Sequence, residues 1–138
     1  QDTSRDAMIH CRCHDLPESV PLEPWQAEDF PKLLAEAEVR RTKGTGACQS
    51  ARRSFFHRVR GYDERYTFWG AEDVDMTARA QRAGLDIVWV SDRTQMLHQW
   101  HPKELSRRPW NFRLNRWRYR LTKWQIAKNP GGWGGVGR

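Results

Sequence analysis

The sequence predicts a mixed α/β fold, because strand patterns and helix patterns alternate along most of the chain. Residues 86–90 read Asp-Ile-Val-Trp-Val, a β-branched run that is typical of a buried strand. Just before it, Met76, Ala80 and Ala83 have helical spacing and end at Gly84, which predicts a helix over residues 71–83. At 138 residues the chain is long enough for one domain with a modest core.

The N-terminal part predicts a short strand over residues 8–13, followed by a linker with three prolines over residues 16–24. The run His10-Cys11-Arg12-Cys13-His14 also invites a zinc interpretation. Its spacing differs from the usual paired-cysteine knuckle, and no second cysteine pair follows. A strand with alternating faces is therefore the prediction for this segment.

The middle of the chain predicts two further helices separated by a short strand. Pro31 can open a helix that runs to about Arg41, with Gly44 as its stop. A glycine-rich turn over residues 43–46 leads into a strand over residues 47–50, and no Walker pattern is present in that turn. Ser50 is then predicted to cap a helix over residues 52–59 that ends at Gly61.

The C-terminal part differs from the rest in charge. The net charge is +7, and residues 103–128 hold nine basic side chains against Glu104 alone, whereas residues 1–102 hold 14 basic and 16 acidic ones. Large apolar residues recur at steps of 4, 3, 4 and 3, which predicts an amphipathic helix over residues 109–127. They are Trp110, Leu114, Trp117, Leu121 and Trp124. We divide the chain into residues 1–102 and residues 103–138, ending in a flexible glycine-rich stretch over 131–137.

This apolar stripe needs a partner, because leaving such side chains in water costs roughly 1.5–3 kcal/mol each. We predict that the stripe is buried on the core and that the arginines between its members are exposed. An anionic membrane surface is the first alternative partner for residues 107–128. Arginines interleaved with tryptophan could also contact nucleic acid, which we expect less.

One acidic pair stands where a tight loop becomes a helix. Glu72 and Asp73 directly follow Trp69-Gly70-Ala71 and precede the helical spacing. One carboxylate of such a pair can accept a proton while the other holds a substrate hydroxyl. The structural alternative is that both only complement the dipole at the helix N-terminus.

The ordered motifs around this pair resemble the C-terminal half of GT-A fold glycosyltransferases, of the family 2 and galactosyltransferase type. The motifs are Gly46-Ala-Cys-Gln-Ser-Ala-Arg-Arg53, Gly61-Tyr-Asp-Glu64, Trp69-Gly-Ala-Glu-Asp73, Arg79, Gly84 and a later histidine. The resemblance covers roughly residues 44–102 and implies the C-terminal portion of a GT-A, nucleotide-diphospho-sugar transferase fold, followed here by the amphipathic helix.

In the resembled family the aspartate of the Glu-Asp pair is the general base, a role that falls on Asp73. Glu72 would then hydrogen-bond the acceptor, Trp69 would stack on a sugar ring and Gly70 would leave room for that ring. The resemblance also assigns Gly46 and Arg53 to substrate binding.

The segment Asp73-Val74-Asp75 spells the acidic metal triplet of these enzymes, but we reject that interpretation. Two helical steps of about 100° turn Asp75 away from Asp73. The triplet normally follows a strand in the N-terminal half of the enzyme, and the sequence shows none there. We therefore expect this chain to supply the back half of a site.

The same family places a manganese-binding histidine after the strand at residues 87–90, which corresponds to His98. A neutral imidazole suits this ion. His101 is the rival position, three residues further on. The metal expected is Mn²⁺, or alternatively Mg²⁺, held against the diphosphate of a UDP-sugar.

These features together predict a metal-dependent hexosyltransferase, of the inverting kind, that moves a sugar from a nucleotide-sugar to a hydroxyl of a saccharide or glycoconjugate. The alternative is a non-catalytic protein that keeps the fold and binds a nucleotide-sugar or a polyanion. No signal-peptide pattern and no run of about 18 apolar residues is present. With three cysteines that cannot all pair, we expect a cytoplasmic location, at most peripheral to a membrane.

Overall fold

The computed structural model describes residues 6–42, 46–102 and 108–134. Along the chain its elements are β1 (Ala7–His10), β2 (Cys13–Asp15), α1 (Phe30–Glu36), β3 (Glu38–Val39), β4 (Gln49–Ser50), α2 (Arg53–Val59), α3 (Glu72–Arg82), β5 (Asp86–Trp89), β6 (Met96–His98) and α4 (Arg108–Thr122). The mixed α/β class predicted from the sequence is thereby confirmed. Its assignment to the GT-A type stays a prediction.

The strands form two three-stranded sheets of similar design. In the first sheet β1 lies between β4, to which it is antiparallel, and β5, to which it is parallel. In the second sheet β2 lies between the antiparallel β3 and the parallel β6. Because β1 and β5 are parallel, the chain must cross over between them, and α2 and α3 lie within that crossover.

The main apolar core is formed by β1, α2, α3 and the residue that leads into β5. Its buried members are Met8, Phe55, Val59, Met76, Ala80 and Leu85. Met76 and Ala80 lie four residues apart on one face of α3, which matches the predicted helical spacing. A smaller cluster of Leu16, Val20 and Leu33 packs beneath the second sheet.

Several predicted boundaries need correction. The segment predicted as one strand over residues 8–13 forms β1 and β2, separated by Cys11 and Arg12. The helix predicted to reach Arg41 ends at Glu36, because Ala37 is extended and β3 pairs with β2 instead. Arg40 is held by hydrogen bonds to Asp15, a contact across 25 positions of sequence that helical periodicity does not reveal. Lys43, Gly44 and Thr45 lie outside the described residues.

The helices around the acidic pair agree with the sequence more closely. Helix α3 begins and ends within one residue of the predicted bounds, and α2 begins one residue later than predicted. Ser50 does not cap α2, however. The residue before that helix is Arg52, whose side chain makes no capping hydrogen bond. The strand β5 is also less buried than expected, since Val88 is exposed.

Burial of the tryptophan stripe is the prediction that the structure most clearly overturns. Trp110, Trp117, Leu121 and Trp124 are 72%, 58%, 59% and 72% exposed, and only Leu114 is half-buried. Helix α4, which ends at Thr122, packs instead through a face that includes Phe112 and Asn115. Polar contacts determine which face of α4 turns inward, as described below.

Across residues 6–42, 46–102 and 108–134, none of the helices combines the length and apolar character required to cross a bilayer. The division of the chain after residue 102 stays a prediction, and residues 103–107 lie outside the described part.

Candidate active site

The turn before α3 has unusual backbone geometry. Phe68, Gly70 and Ala71 all have positive φ angles, of 59°, 101° and 76°. Two of these three residues carry side chains, for which a left-handed conformation is unfavourable. Such strain persists only where surrounding contacts determine the conformation, and it is common at binding sites. The turn therefore needs support from the rest of the chain.

Glu72 and Asp73 form the first turn of α3, as the sequence predicted. Both side chains are half-buried. Asp73 Oδ1 accepts a hydrogen bond of 2.8 Å from the backbone N–H of Val74, so this carboxylate also acts locally at the helix start. Glu72 Oε2 is buried and has no hydrogen-bond partner within the described part of the chain. A buried carboxylate oxygen without a hydrogen-bond donor is unfavourable, so this oxygen has unused capacity to accept a hydrogen bond.

Gly46 lies directly beside Asp73. A Cβ atom added to Gly46 would stand 3.1 Å from Asp73 Oδ2, closer than side chains ordinarily approach. The missing side chain leaves this carboxylate bordered by bare backbone. The structure therefore brings together two of the predicted site residues that are 27 positions apart in sequence.

Two residues that the sequence analysis did not single out hold the start of α3 in place. Gln49 on β4 donates hydrogen bonds of 2.9 Å to the backbone oxygen of Asp73 and to Thr77 Oγ1. Tyr62 in turn donates its hydroxyl proton to Gln49 Oε1. Burial and the nearby charge of Asp73 raise the pKa of Tyr62, so its hydroxyl stays protonated and remains a donor. Both residues could have been noticed, because Tyr62 lies in the Gly-Tyr-Asp-Glu motif and Gln49 lies in the motif that begins at Gly46.

Trp69 and Gly70 lie against the C-terminal helix. The rings of Trp69 and Phe112 are 5.2 Å apart, and 46% of Trp69 stays exposed, which leaves part of the indole available for stacking. A Cβ atom at Gly70 would stand 2.7 Å from Phe112 Cδ2. The space beside Gly70 is thus occupied by Phe112 of α4, whereas the sequence analysis assigned it to a sugar ring.

The loop that carries Trp69 is held by amide and guanidinium groups from the C-terminal segment. Asn115 is fully buried and donates hydrogen bonds of 2.9 and 3.1 Å to the backbone oxygens of Thr67 and Trp69. The guanidinium of Arg118 donates to the backbone oxygen of Arg65. These bonds supply the support that the strained turn needs.

The start of the same loop is held by Asn129, which is also buried. Its amide donates to the backbone oxygens of Arg60 and Tyr62 at 2.8 and 2.6 Å, and its oxygen accepts from the N–H of Glu64 at 3.1 Å. Asparagines that bond several backbone groups at once fix a loop in one conformation.

A buried group of charges connects the C-terminal segment to α3. Asp75 and Arg79 are fully buried and form an ion pair of 2.9 Å. Lys128 Nζ lies 3.6 Å from Asp75 Oδ1 and 3.8 Å from Asp63 Oδ2, and it donates to the backbone oxygen of Thr122 at 2.8 Å. We call the buried residues Asp63, Asp75, Arg79, Asn115, Lys128 and Asn129 the polar joint. Its four charges balance, two positive against two negative.

The orientation of Asp75 agrees with the helical spacing used above. Its side chain points inward to Arg79, whereas Asp73 faces the surface, so the two do not form a shared metal triplet. Burial raises the pKa of Asp75 and lowers those of Arg79 and Lys128, because it disfavours each charged form, and the opposite charges work against this.

The two histidines lie on a different part of the fold. His98 ends β6, and its Nδ1 is 3.1 Å from Asp15 Oδ1, while Asp15 also accepts hydrogen bonds from Arg40. The rings of His98 and His101 are 5.4 Å apart. Arg53 begins α2, where its Nε donates to His57 Nε2 at 3.1 Å. The contacts of the described residues link Gly46 with Asp73 but link neither His98 nor Arg53 to that pair.

The fit of a metal ion to His98 can be judged from these contacts. A carboxylate on Nδ1 leaves Nε2 available as a ligand, which is the usual arrangement for a metal-binding histidine. No group of three or more histidine, cysteine, aspartate or glutamate side chains suitable for a metal occurs in the described ranges, however. These residues supply one suitable ligand rather than a complete set.

Comparison with known proteins identifies the class. Residues 35–102 match the family described as the N-terminal domain of galactosyltransferase. An N-acetylglucosaminyl-diphospho-decaprenol L-rhamnosyltransferase from Mycobacterium tuberculosis is 36% identical over 59% of this chain. A protein of Caenorhabditis elegans named "Probable N-acetylgalactosaminyltransferase 9" is 31% identical over 55% of it. No solved structure matches this chain.

These matches confirm the resemblance that the motifs indicated, since the segment 35–102 is similar to a glycosyltransferase family. Within that class the matching family is the galactosyltransferase type. The chain spans 26% of the length of the mycobacterial relative and 15% of the nematode one. Its place in the C-terminal half of an enzyme stays a prediction, since the matching family is described by an N-terminal domain.

Proposed function

We propose that this chain forms the acceptor side of a glycosyltransferase site, with Asp73 as the general base. The observation that carries the proposal is the close approach of Gly46 to Asp73 Oδ2, immediately after the strained turn at Trp69-Gly70-Ala71. A carboxylate bordered by bare backbone, with an exposed indole nearby, suits a sugar hydroxyl that must lose its proton. The glycosyltransferase relatives support the same class of reaction.

In the proposed reaction the acceptor oxygen attacks the anomeric carbon of the donor sugar. As that bond forms, the bond between the anomeric carbon and the diphosphate oxygen breaks, and the nucleoside diphosphate leaves with the electron pair. The acceptor proton passes to Asp73. The total charge is unchanged, because the carboxylate becomes neutral as the leaving group gains one negative charge. Glu72 accepts a hydrogen bond from the acceptor, and Trp69 stacks on its ring.

The proposed donor is a UDP-sugar with Mn²⁺ or Mg²⁺, in line with the family resemblance. His98 is the proposed ligand, since Asp15 on its Nδ1 leaves Nε2 available. The ion would stabilise the charge that develops on the departing diphosphate. The acceptor proposed is a saccharide hydroxyl, and a polyprenyl-diphosphate-linked saccharide should be among those tested because the mycobacterial relative is named for one.

The test of the base is Asp73→Asn, which keeps the shape of the side chain but removes its basic oxygen. We expect sugar transfer to fall by about 10² to 10⁴, the usual contribution of a placed base, with little change in acceptor KM. Asp92→Asn is the matched control, because it removes an exposed carboxylate after β5. Equal activity of Asp73→Asn and Asp92→Asn would reject the assignment.

The assignment of His98 as the metal-binding residue is tested by a binding measurement, which does not depend on turnover. UDP with Mn²⁺ is expected to raise the melting temperature of the chain, and His98→Ala should abolish that shift. If His101→Ala abolishes it and His98→Ala does not, the ligand is His101. A shift without any sugar transfer would favour the alternative function, a protein that binds a nucleotide-sugar but does not react.

A further inference from the structure

Helix α4 presents an exposed face that the proposed reaction does not use. Trp110, Trp117 and Leu121 lie on one side of α4, and Trp124 follows in the turn after it. Each of the four is more than half exposed. At 1.5 Å per residue, the strip from Trp110 to Leu121 runs for about 16 Å along the helix axis. Exposed apolar strips of this kind mark interaction sites.

Exposed arginines lie on α4 beside this strip, and the guanidinium of one of them, Arg116, reaches over the Phe112 ring at 5.5 Å from its centre. Arg113, Arg116 and Arg120 are all exposed, and helix α4 contains no aspartate or glutamate. We call these three arginines, with Trp110, Trp117, Leu121 and Trp124, the outward face. The opposite side of α4 is fixed to the protein by Asn115 and Phe112, so the outward face cannot turn inward without breaking those contacts.

Cations also lie over the terminal tryptophan ring. Lys123 Nζ is 4.7 Å from the centre of the Trp124 ring, and the guanidinium of Arg82 is 5.4 Å from it. A tryptophan beside a basic side chain is the arrangement found where helices lie in the boundary between lipid headgroups and acyl chains. There the indole enters the apolar boundary while the cation stays with the phosphates.

We propose that the outward face binds the surface of an anionic lipid bilayer, with α4 lying in the plane of that surface. Charge distinguishes this partner from a second copy of the chain, because two copies meeting through this face would bring arginines against arginines. It also favours lipid over a purely apolar protein surface, which would leave three guanidinium groups without counter-charges. The inference does not depend on the proposed reaction.

The test is co-sedimentation of the chain with vesicles of phosphatidylglycerol and phosphatidylcholine in equal parts. We expect binding to these vesicles that weakens as salt rises, and much weaker binding to pure phosphatidylcholine. The variant with Arg113, Arg116 and Arg120 all changed to Gln should bind about 100-fold more weakly, since each basic residue near such a surface contributes roughly 1 kcal/mol. The control is Arg12, Arg41 and Arg93 changed to Gln, which removes equal charge from exposed positions outside α4.

The apolar part of the face is tested separately. Trp110→Ser combined with Trp117→Ser should weaken vesicle binding by about tenfold or more. Leu22→Ser combined with Val39→Ser, which removes two other exposed apolar side chains, should leave it unchanged. Quenching of tryptophan fluorescence by brominated lipid checks the unmodified chain, so the proposal can be judged even if a variant does not fold.

Three results would overturn the proposal. The first is no binding of the unmodified chain to the anionic vesicles. The second is an equal loss of binding in the α4 variants and their controls, which would indicate general charge attraction. The third is a dimer, or a complex with single-stranded oligonucleotide, that the same variants disrupt while vesicle binding persists, because the outward face would then serve that partner.

Discussion

Helix α3 supplies side chains to two buried regions of different chemistry. Met76 and Ala80 belong to the apolar core, whereas Asp75 and Arg79 belong to the polar joint. The apolar core forms where helices and strands pack through the apolar face that each of them carries. The joint connects residues that are far apart in sequence, such as Asp63 and Lys128. The first region therefore holds the elements together, and the second determines how the C-terminal segment sits on the loop of the candidate site.

The difference follows from the forces involved. Burial of apolar surface is non-directional, so the core tolerates small shifts of one element over another. A buried amide or charge must meet its partner at a defined distance and angle, and an unmet one is costly. The polar joint thus fixes a conformation that apolar packing alone would leave open. This is the conformation in which Phe68 and Ala71 keep positive φ angles.

Among changes to the polar joint, breaking the ion pair of Asp75 and Arg79 should have the largest effect on the free energy of unfolding. Arg79→Met leaves Asp75 buried without its nearest cation, and we expect a loss of about 3–5 kcal/mol in the free energy of unfolding. The measurement is urea unfolding. Arg58→Met is the control, because Arg58 is exposed and, in the described part of the chain, donates a hydrogen bond to the backbone oxygen of Ala83. The double variant Asp75→Leu with Arg79→Met should recover the part of the loss that comes from the unpaired carboxylate, whereas the backbone oxygens of Val59 and Gly61 stay without the Arg79 donor.

If Arg79→Met costs no more than Arg58→Met, the ion pair does not hold this part of the fold. If the double variant is less stable than Arg79→Met, then Asp75 contributes mainly through Lys128, which lies 3.6 Å from it. Either result would show how the polar joint differs from the apolar core. In the core, the loss caused by removing a methylene cannot be recovered by removing a charged partner.

The same comparison explains what could be predicted from the sequence. The spacing of Met76 and Ala80 is local, so the sequence predicts α3 to within one residue at each end. The Glu72–Asp73 pair and its neighbour Gly46 lie in ordered motifs, and the structure brings Gly46 and Asp73 together. In the first case the information lies within one helix. In the second case it lies within the short motif that carries each residue.

The features that the sequence did not predict depend on distant partners. Helix α1 ends at Glu36 because the next residues pair with β2, and periodicity does not report that pairing. The stripe of α4 is apolar as the spacing predicts, but the inward face of the helix includes Phe112 and Asn115 instead. Periodicity shows that a face needs a partner and does not show which partner it meets.

An intermediate effect is expected at Asn115, which allows the two faces of α4 to be compared directly. Asn115→Ala leaves the backbone oxygens of Thr67 and Trp69 without their donor, and we expect unfolding to become easier by about 1–3 kcal/mol. Trp117→Ala on the exposed face should change stability by no more than about 0.5 kcal/mol. Both are measured by urea unfolding. A greater cost for Trp117→Ala than for Asn115→Ala would mean that the outward face is covered in solution.

The smallest effect expected is a pH dependence of the stability, which the polar joint should produce and the apolar core should not. Burial would raise the pKa of Asp63, but hydrogen bonds and charge from Arg65 outweigh it, so the pKa is lowered. The resulting stability is present above the ordinary carboxyl value of about 3.9 and is lost as pH falls through the lower folded value. The effect is limited because Arg65 is half exposed, where solvent screens its charge.

Asp63→Asn provides the measurement, because it keeps the shape of the side chain and removes the titration. The difference in unfolding free energy between the unmodified chain and this variant should be constant near neutral pH and should shrink as pH falls from about 5 to 3. Asp75 acts in the opposite direction, since burial raises its pKa, and the charge of Asp63 adds to that rise, so the difference between the two proteins reports Asp63 together with its effect on Asp75. Glu18→Gln, at an exposed position in the proline-bearing segment, is the control. A flat difference for Asp63→Asn would mean that Arg65 does not favour the charged form of Asp63, and the polar joint would then lose its expected dependence on pH.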